Sequence, residues 1–214
     1  MFAALAYAVH FIHIPVSFLN LDFKDVVMTV AGMYFGPVSG VAVAILVPFL
    51  EFPTSKTEIY GLIMNLISSV TFVGVASLIY KFKRTMTGAI VSLSAAVLSM
   101  VAVMMMANLF VTPLYMEGAS QADVINMIPT VLLPFNAIKA ILNAALTLCL
   151  YKPMTSLLKK AGVTKGFAPL TETEQSQTGS KVRSILVFVI GGLIAAISLV
   201  IIFAVLGGKI KFGI

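Results

Sequence analysis

Three residues in the chain have the chemistry and the spacing to make a polar site where none belongs. Asn136, Lys139 and Asn143 stand at i, i+3 and i+7 within Pro129–Lys152, an apolar run long enough to cross a bilayer. On an α-helix that spacing puts all three on one face. An ammonium and two amides at membrane depth are costly unless they face protein or a water-filled cavity. Two readings fit: a ligand or ion path, or a polar seam in which Asn and Lys satisfy carbonyls of neighbouring helices. The ligand path is preferred, because Lys is poor structural glue in hydrocarbon.

Other polar groups recur in the same pattern. Glu58, Asn65 and Ser69 share a face of a helix expected over Glu58–Tyr80, which Gly61 and the serines keep thin. Asn108, Thr112 and Pro113 follow Met104, Met105 and Met106 in a helix expected over Gly88–Tyr115. The methionines suit either an adaptable surface for a flat organic ligand or plain core filling. A short charged cluster, Asp22, Lys24 and Asp25, separates a first apolar segment (Phe2–Ile14) from a helix expected over Asp25–Phe35. His10 and His13 lack the carboxylate or cysteine neighbours that a metal site needs, so no metal is expected. Cys149, the single cysteine, is read as a buried structural thiol.

These groups hang on a membrane scaffold. Of 214 residues, 60% are hydrophobic and only 10% charged, against about 25% charged in soluble domains. The formal charge of +6 resides in loops between apolar segments, so it reads as a topology signal and not as a nucleic-acid surface. After GPVSG, where Gly36 frees the backbone and Pro37 restarts a helix, a third helix is expected to reach about Leu50. The opening MFAALAYAVHF lacks a basic n-region and is read as a retained helix. Ala4 and Ala8 on it form a small-xxx-small pair that lets another helix approach. A seventh apolar run, Ser184–Leu206, follows a polar Gly/Ser/Thr-rich linker and shows no chemistry beyond a GGLIAA packing face.

Loop charges set an expected orientation. Lys81, Lys83 and Arg84 lie between helices four and five, and Lys152, Lys159, Lys160, Lys165, Lys181 and Arg183 flank the linker. If both loops are cytoplasmic, the N-terminus is inside, and the loops around Asp22, Lys56 and Glu117 are outside with the C-terminus. Asn108, Thr112, Asn136 and Lys139 then lie toward the outer half. No phosphate-binding G-x-x-x-x-G-K-[ST] loop, zinc helix or G-x-S-x-G elbow is present, so catalysis has no residues to carry it. The absence of an evident internal repeat weighs against the rival reading, a stand-alone secondary transporter or channel using Lys139 as a coupling charge.

Five motifs in order, LDFKDV, GPVSG, EIYGLIMNLISS, NLFVTPLY and LLPFNAIKAILN, resemble the substrate-binding (S) components of energy-coupling-factor (ECF) vitamin transporters, most of all the riboflavin-specific members. The resemblance covers about residues 1–155. It implies an all-α integral membrane protein with a six-helix vitamin-binding domain over 1–155, to which the composition adds a polar cytoplasmic linker over 156–183 and an additional transmembrane helix and short tail over 184–214. It implies a multi-pass protein of the cell membrane that binds riboflavin as transported ligand, with no cofactor of its own. Its partners would be a transmembrane coupling (T) protein and two ATPase subunits, with Ala4 and Ala8 mapping to the docking face. Ligand contacts carried over are Leu21, Asp22 and Phe23, then Asn65, Asn108 and Lys139. Asn136 adds to the same polar stripe, and Phe23, Met64 and Tyr115 are placed to cover the ring faces. The seventh helix departs from the six-helix pattern.

Overall fold

Apolar runs of membrane length become the three longest helices, and shorter ones fill the space between. The computed structural model describes residues 1–16, 19–53, 59–115, 121–160, 189–194, 196–198, 200–201 and 211–212. In order these are α1 (Phe2–His10), β1 (Ile12–Val16), β2 (Leu19–Asp22), α2 (Lys24–Phe35), α3 (Pro37–Glu51), α4 (Ile59–Phe82), α5 (Met86–Tyr115), α6 (Gln121–Met127), a π-helical turn (Ile128–Leu132) and α7 (Leu133–Lys160). A further apolar helix, α8 (Val189–Ser198), and a short strand, β3 (Lys211–Phe212), complete the described chain. The stretches Ile59–Phe82, Met86–Leu114 and Gln121–Tyr151 are long and apolar enough to cross a membrane. Leu78, Leu98, Met106 and Phe110 stand exposed on their outer faces, where a bilayer is the natural solvent.

The first segment departs from expectation. Its helix stops at His10 and not at Ile14, and Ile12–Val16 pairs antiparallel with Leu19–Asp22 in the register His13↔Asp22 and Val16↔Leu19. Pro15 explains much of this: it disfavours helix at the preceding residue, and β-branched neighbours favour extended backbone. It sits beyond the two residues of β1 that pair with β3, where its missing N–H leaves no gap in that ladder. The three strands run β2-β1-β3, so the C-terminal segment reaches the same end of the bundle as Asp22.

At the opposite end α2 turns into α3 through Gly36, whose φ of +98° suits only glycine well. The pair then crosses closely: a Cβ on Gly32 would come 3.1 Å from the Cα of Gly40 and 2.9 Å from the Ser77 Cβ on α4. Ala6, Met28, Ala44, Val47 and Val73 form the core among α1 to α4. Phe72, Leu93, Met100, Met104 and Ala140 form a second one among α4, α5 and α7. Met104 and Met105 therefore serve largely as core filling, while Met106 points outward. The helix expected from Pro129 is longer at both ends, since α6 and the π turn lead into it and α7 runs on to Lys160. The rest of the expected linker lies outside the described residues. α8 rests on α7 where a Cβ on Gly191 would meet the Cys149 sulfur at 3.1 Å.

Candidate functional site

The hairpin delivers the first half of the site. Leu21, at the end of β2, is fully buried against Phe135, Leu142 and Ala145 of α7, with Phe23 and Ile138 packed around it. That apolar clasp holds the next residue, Asp22, against α7. Lys139 Nζ donates to Asp22 Oδ2 at 3.3 Å, and Lys24 Nζ approaches the same oxygen at 3.8 Å. Burial alone would raise the Asp22 carboxyl, but Lys139 and Lys24 outweigh it and hold the group below the usual carboxylate range. Asp22 Oδ1 is buried and accepts no hydrogen bond from the described residues.

The charges extend toward helix one. Lys24 at the start of α2 donates to Glu51 Oε2 at the end of α3, and Glu51 Oε1 lies 3.4 Å from His10 Nδ1 at the last turn of α1. One turn deeper, Asp25 accepts from Ser69 on α4 at 2.6 Å and from Asn143 on α7 at 3.3 Å. Lys24, Asp25, Glu51 and Lys139 are each at most 5% exposed. Lys24 is paired with Glu51 and Lys139 with Asp22, since a charge so deeply buried would alone cost several kcal/mol, whereas Asp25 is held by its two hydrogen bonds.

The amides on α5 and α7 are placed differently. Asn108 is fully buried; its Nδ2 donates to Met104 O at 2.7 Å, and its Oδ1 accepts from Thr112 at 3.0 Å. Asn136 donates to Leu132 O at 2.8 Å, across the π turn where the i→i+5 winding displaces the ladder. Each amide keeps one N–H beyond these bonds. Met64 packs against the same α4–α5–α7 core as Met104, and Asn65 beside it is partly buried.

Of the expected residues, the structure brings Leu21, Asp22, Phe23, Asn136 and Lys139 to one corner between the hairpin and α7. Asn108 and Met64 belong to the adjoining α4–α5 wall. The side chain of Tyr115, like Lys56 and Glu58, lies outside the described residues. Asn143, which the sequence places one turn deeper than Lys139, is a partner of Asp25. Sequence reasoning missed Lys24 and Glu51, whose ion pair joins positions 27 apart. The available signal was opposite charges at the start and end of two short consecutive helices. A coupling charge in a secondary transporter would need a titratable carboxylate paired with it deep in the membrane; the partner of Lys139, Asp22, is contributed by the hairpin at the end of the bundle.

Comparison with known proteins agrees with this architecture. The family model described as "ECF transporter, substrate-specific component" matches residues 1–151. The chain is 33% identical over 169 residues to the riboflavin transporter RibU of Staphylococcus aureus (strain TCH60), covering 75% of this chain and 89% of the relative. A solved structure, described as the S component of a bacterial ECF transporter, superposes with a TM-score of 0.63 at 34% identity, covering 74% of this chain and 94% of the other. All three matches leave out about a quarter or more of the chain, and the family match ends before α8 begins. The chain belongs to the substrate-specific components of ECF transporters.

Proposed function

We propose that the chain is the riboflavin-binding membrane subunit of an ECF uptake transporter, and that the vitamin is held at the hairpin end between β2, α4, α5 and α7. The observation that carries this is the buried Asp22–Lys139 pair beneath the hairpin, in a chain one third identical to a riboflavin transporter. Isoalloxazine is flat and apolar, with carbonyls and an N–H along one edge. Asp22 Oδ1 offers an unused acceptor, Lys139 a cationic donor, and Asn108 and Asn136 spare N–H groups for that edge or the ribityl hydroxyls. Phe23 and Met64 supply ring-facing surface, with Tyr115 added to them by the family resemblance alone, while Leu21 and Asn65 shape the walls. The protein is a transport component and not an enzyme; ATP hydrolysis belongs to its two ATPase partners.

The hairpin end faces outward in this reading, with the N-terminus and the basic residues Lys81, Lys83 and Arg84 in the cytoplasm. The six-helix unit spans about 1–155, and the segment from 184 is an addition to it. Ala4 and Ala8 are exposed while Ala6 between them is buried, which supports a docking role for their face toward the coupling protein.

Titration of the purified chain with riboflavin is the direct test. Flavin fluorescence should be quenched to a one-to-one endpoint; a protein that leaves the fluorescence unchanged would remove the vitamin assignment. Ala4→Trp and Ala8→Trp should abolish uptake with the intact transporter while leaving this titration unchanged. Loss of binding in both would move those alanines out of the docking face.

A further inference from the structure

Between α5, α7 and α8 lies a cavity of about 500 Å³ that shares Ala145 with the clasp around Leu21 but includes none of the charged residues beneath the hairpin. Its walls are apolar except for Ser94; Leu93, Leu98, Ala144, Leu148 and Ile194 make most of it. Leu98 and Ile194 are exposed, so the cavity opens on the outside of the bundle. A water there would lack the two to four polar partners it needs. A groove lined by apolar side chains and open on the outside of the bundle suits a lipid acyl chain, which needs no hydrogen-bond partner there.

The polar surroundings select the headgroup. The cavity lies toward the basic end of the bundle, its α5 wall beginning at Ile90, one turn into a helix that starts at Met86. Lys83 and Arg84 immediately precede that helix, and a Cβ on Gly88 would strike the Lys83 backbone, which seats the basic loop on the first turn of α5. On α7, Lys152 follows the cavity residue Leu148 by four positions, one turn nearer the same end. Lys83 and Arg84 are among the described cations at this end, and such cations attract anionic lipid.

We propose that α8 and the α5–α7 face form a binding site for one anionic phospholipid, its acyl chain in the cavity and its phosphate at the basic loop. α8, which the family match does not reach, supplies one wall, so the site is a property of the C-terminal addition. The lipid would bridge α8 to the bundle beside the close approach of Gly191 to Cys149.

Native mass spectrometry of the full chain, extracted in mild detergent and exchanged with equimolar phosphatidylglycerol and phosphatidylcholine, tests this. One phosphatidylglycerol per chain should remain bound, at least about five-fold enriched over phosphatidylcholine. Ser94→Phe, at an exposed wall position, should fill the cavity and cut retention about ten-fold for both lipids. Lys83→Gln with Arg84→Gln should remove the enrichment while leaving a retained chain. Riboflavin titration should be unchanged in every variant, which shows that each is folded and separates this site from the vitamin site. Equal retention of the two lipids by the unaltered chain, retention unaffected by Ser94→Phe, or a second copy of the protein in place of lipid would each overturn the proposal.

Discussion

The two ends of the bundle are built from opposite materials. At the basic end Tyr80 and Tyr151 hydrogen-bond to each other at 2.6 Å, Tyr34 donates to the Tyr151 carbonyl at 2.8 Å, and the Tyr34 and Tyr151 rings stack. These hydroxyls are neutral, and each has a partner in the protein itself. At the hairpin end Asp22, Lys24, Glu51 and Lys139 are ionisable and just as deeply buried, and Asp22 retains an unused oxygen. A closed neutral cluster fixes helix positions and offers a ligand nothing. A charged corner with spare hydrogen-bonding capacity fixes the same helices and still recognises a polar edge. Both ends therefore hold helices in place, and in the proposed reading only the hairpin end has groups left over for recognition.

Breaking the Asp22–Lys139 pair should have the largest effect. Lys139→Ala leaves Asp22 with only the more distant Lys24, and should cost about 3 kcal/mol of stability together with roughly a hundred-fold of riboflavin affinity. Thermal unfolding and fluorescence titration read the two losses separately. Lys139→Met combined with Asp22→Asn removes the unpaired charge, so stability should recover toward the parent while binding stays lost. Recovery of both would mean that the pair only holds the fold. Glu51→Gln comes next: Lys24 then faces a neutral acceptor, and stability should fall by about 1.5–3 kcal/mol. The affinity change should be smaller than for Lys139→Ala, because Glu51 reaches the site through Lys24. A larger affinity loss would place Glu51 itself against the vitamin.

How much of this was legible depended on whether the signal was local. The membrane helices follow from apolar runs whose length permits no other compact fate, and Lys139 announced itself by its cost in hydrocarbon. The turn at Gly36 was equally readable, since a Gly-Pro pair there admits few backbones. The hairpin was not: the five residues from Ile12, apolar but for His13, fit the end of a helix as well as a strand, and pairing with a partner decides between them. Lys24 and Glu51 look like loop charges in sequence, because nothing local records that α2 and α3 fold back and bury both. The acceptor of Lys139 was hidden for the same reason, with Asp22 lying 117 positions away.

Asn108 probes the wall between the two ends. Asn108→Ala removes both an internal pair with Thr112 and the spare N–H, so affinity should fall by about 1–3 kcal/mol. Thr112→Val removes only the hydroxyl that orients the amide and should cost about 0.5–1.5 kcal/mol of stability, with a lesser effect on binding. Equal losses of affinity in the two would mean that the amide acts through its orientation alone.

The smallest change sharpens the contrast most cleanly. Tyr80→Phe deletes one hydroxyl and keeps the ring, which packs with Met33 and Ala89. The Tyr151 hydroxyl loses one partner, so stability should fall by about 0.5–1.5 kcal/mol. Riboflavin affinity should not move, because nothing at the basic end contributes charge or an open acceptor to the hairpin end. If Tyr80→Phe weakened binding as much as Asn108→Ala, the two ends would be coupled through α4 and α7, and recognition would no longer belong to the hairpin end alone. An unchanged affinity beside a lowered melting temperature would leave the division intact, with the tyrosines holding the frame against which the hairpin closes.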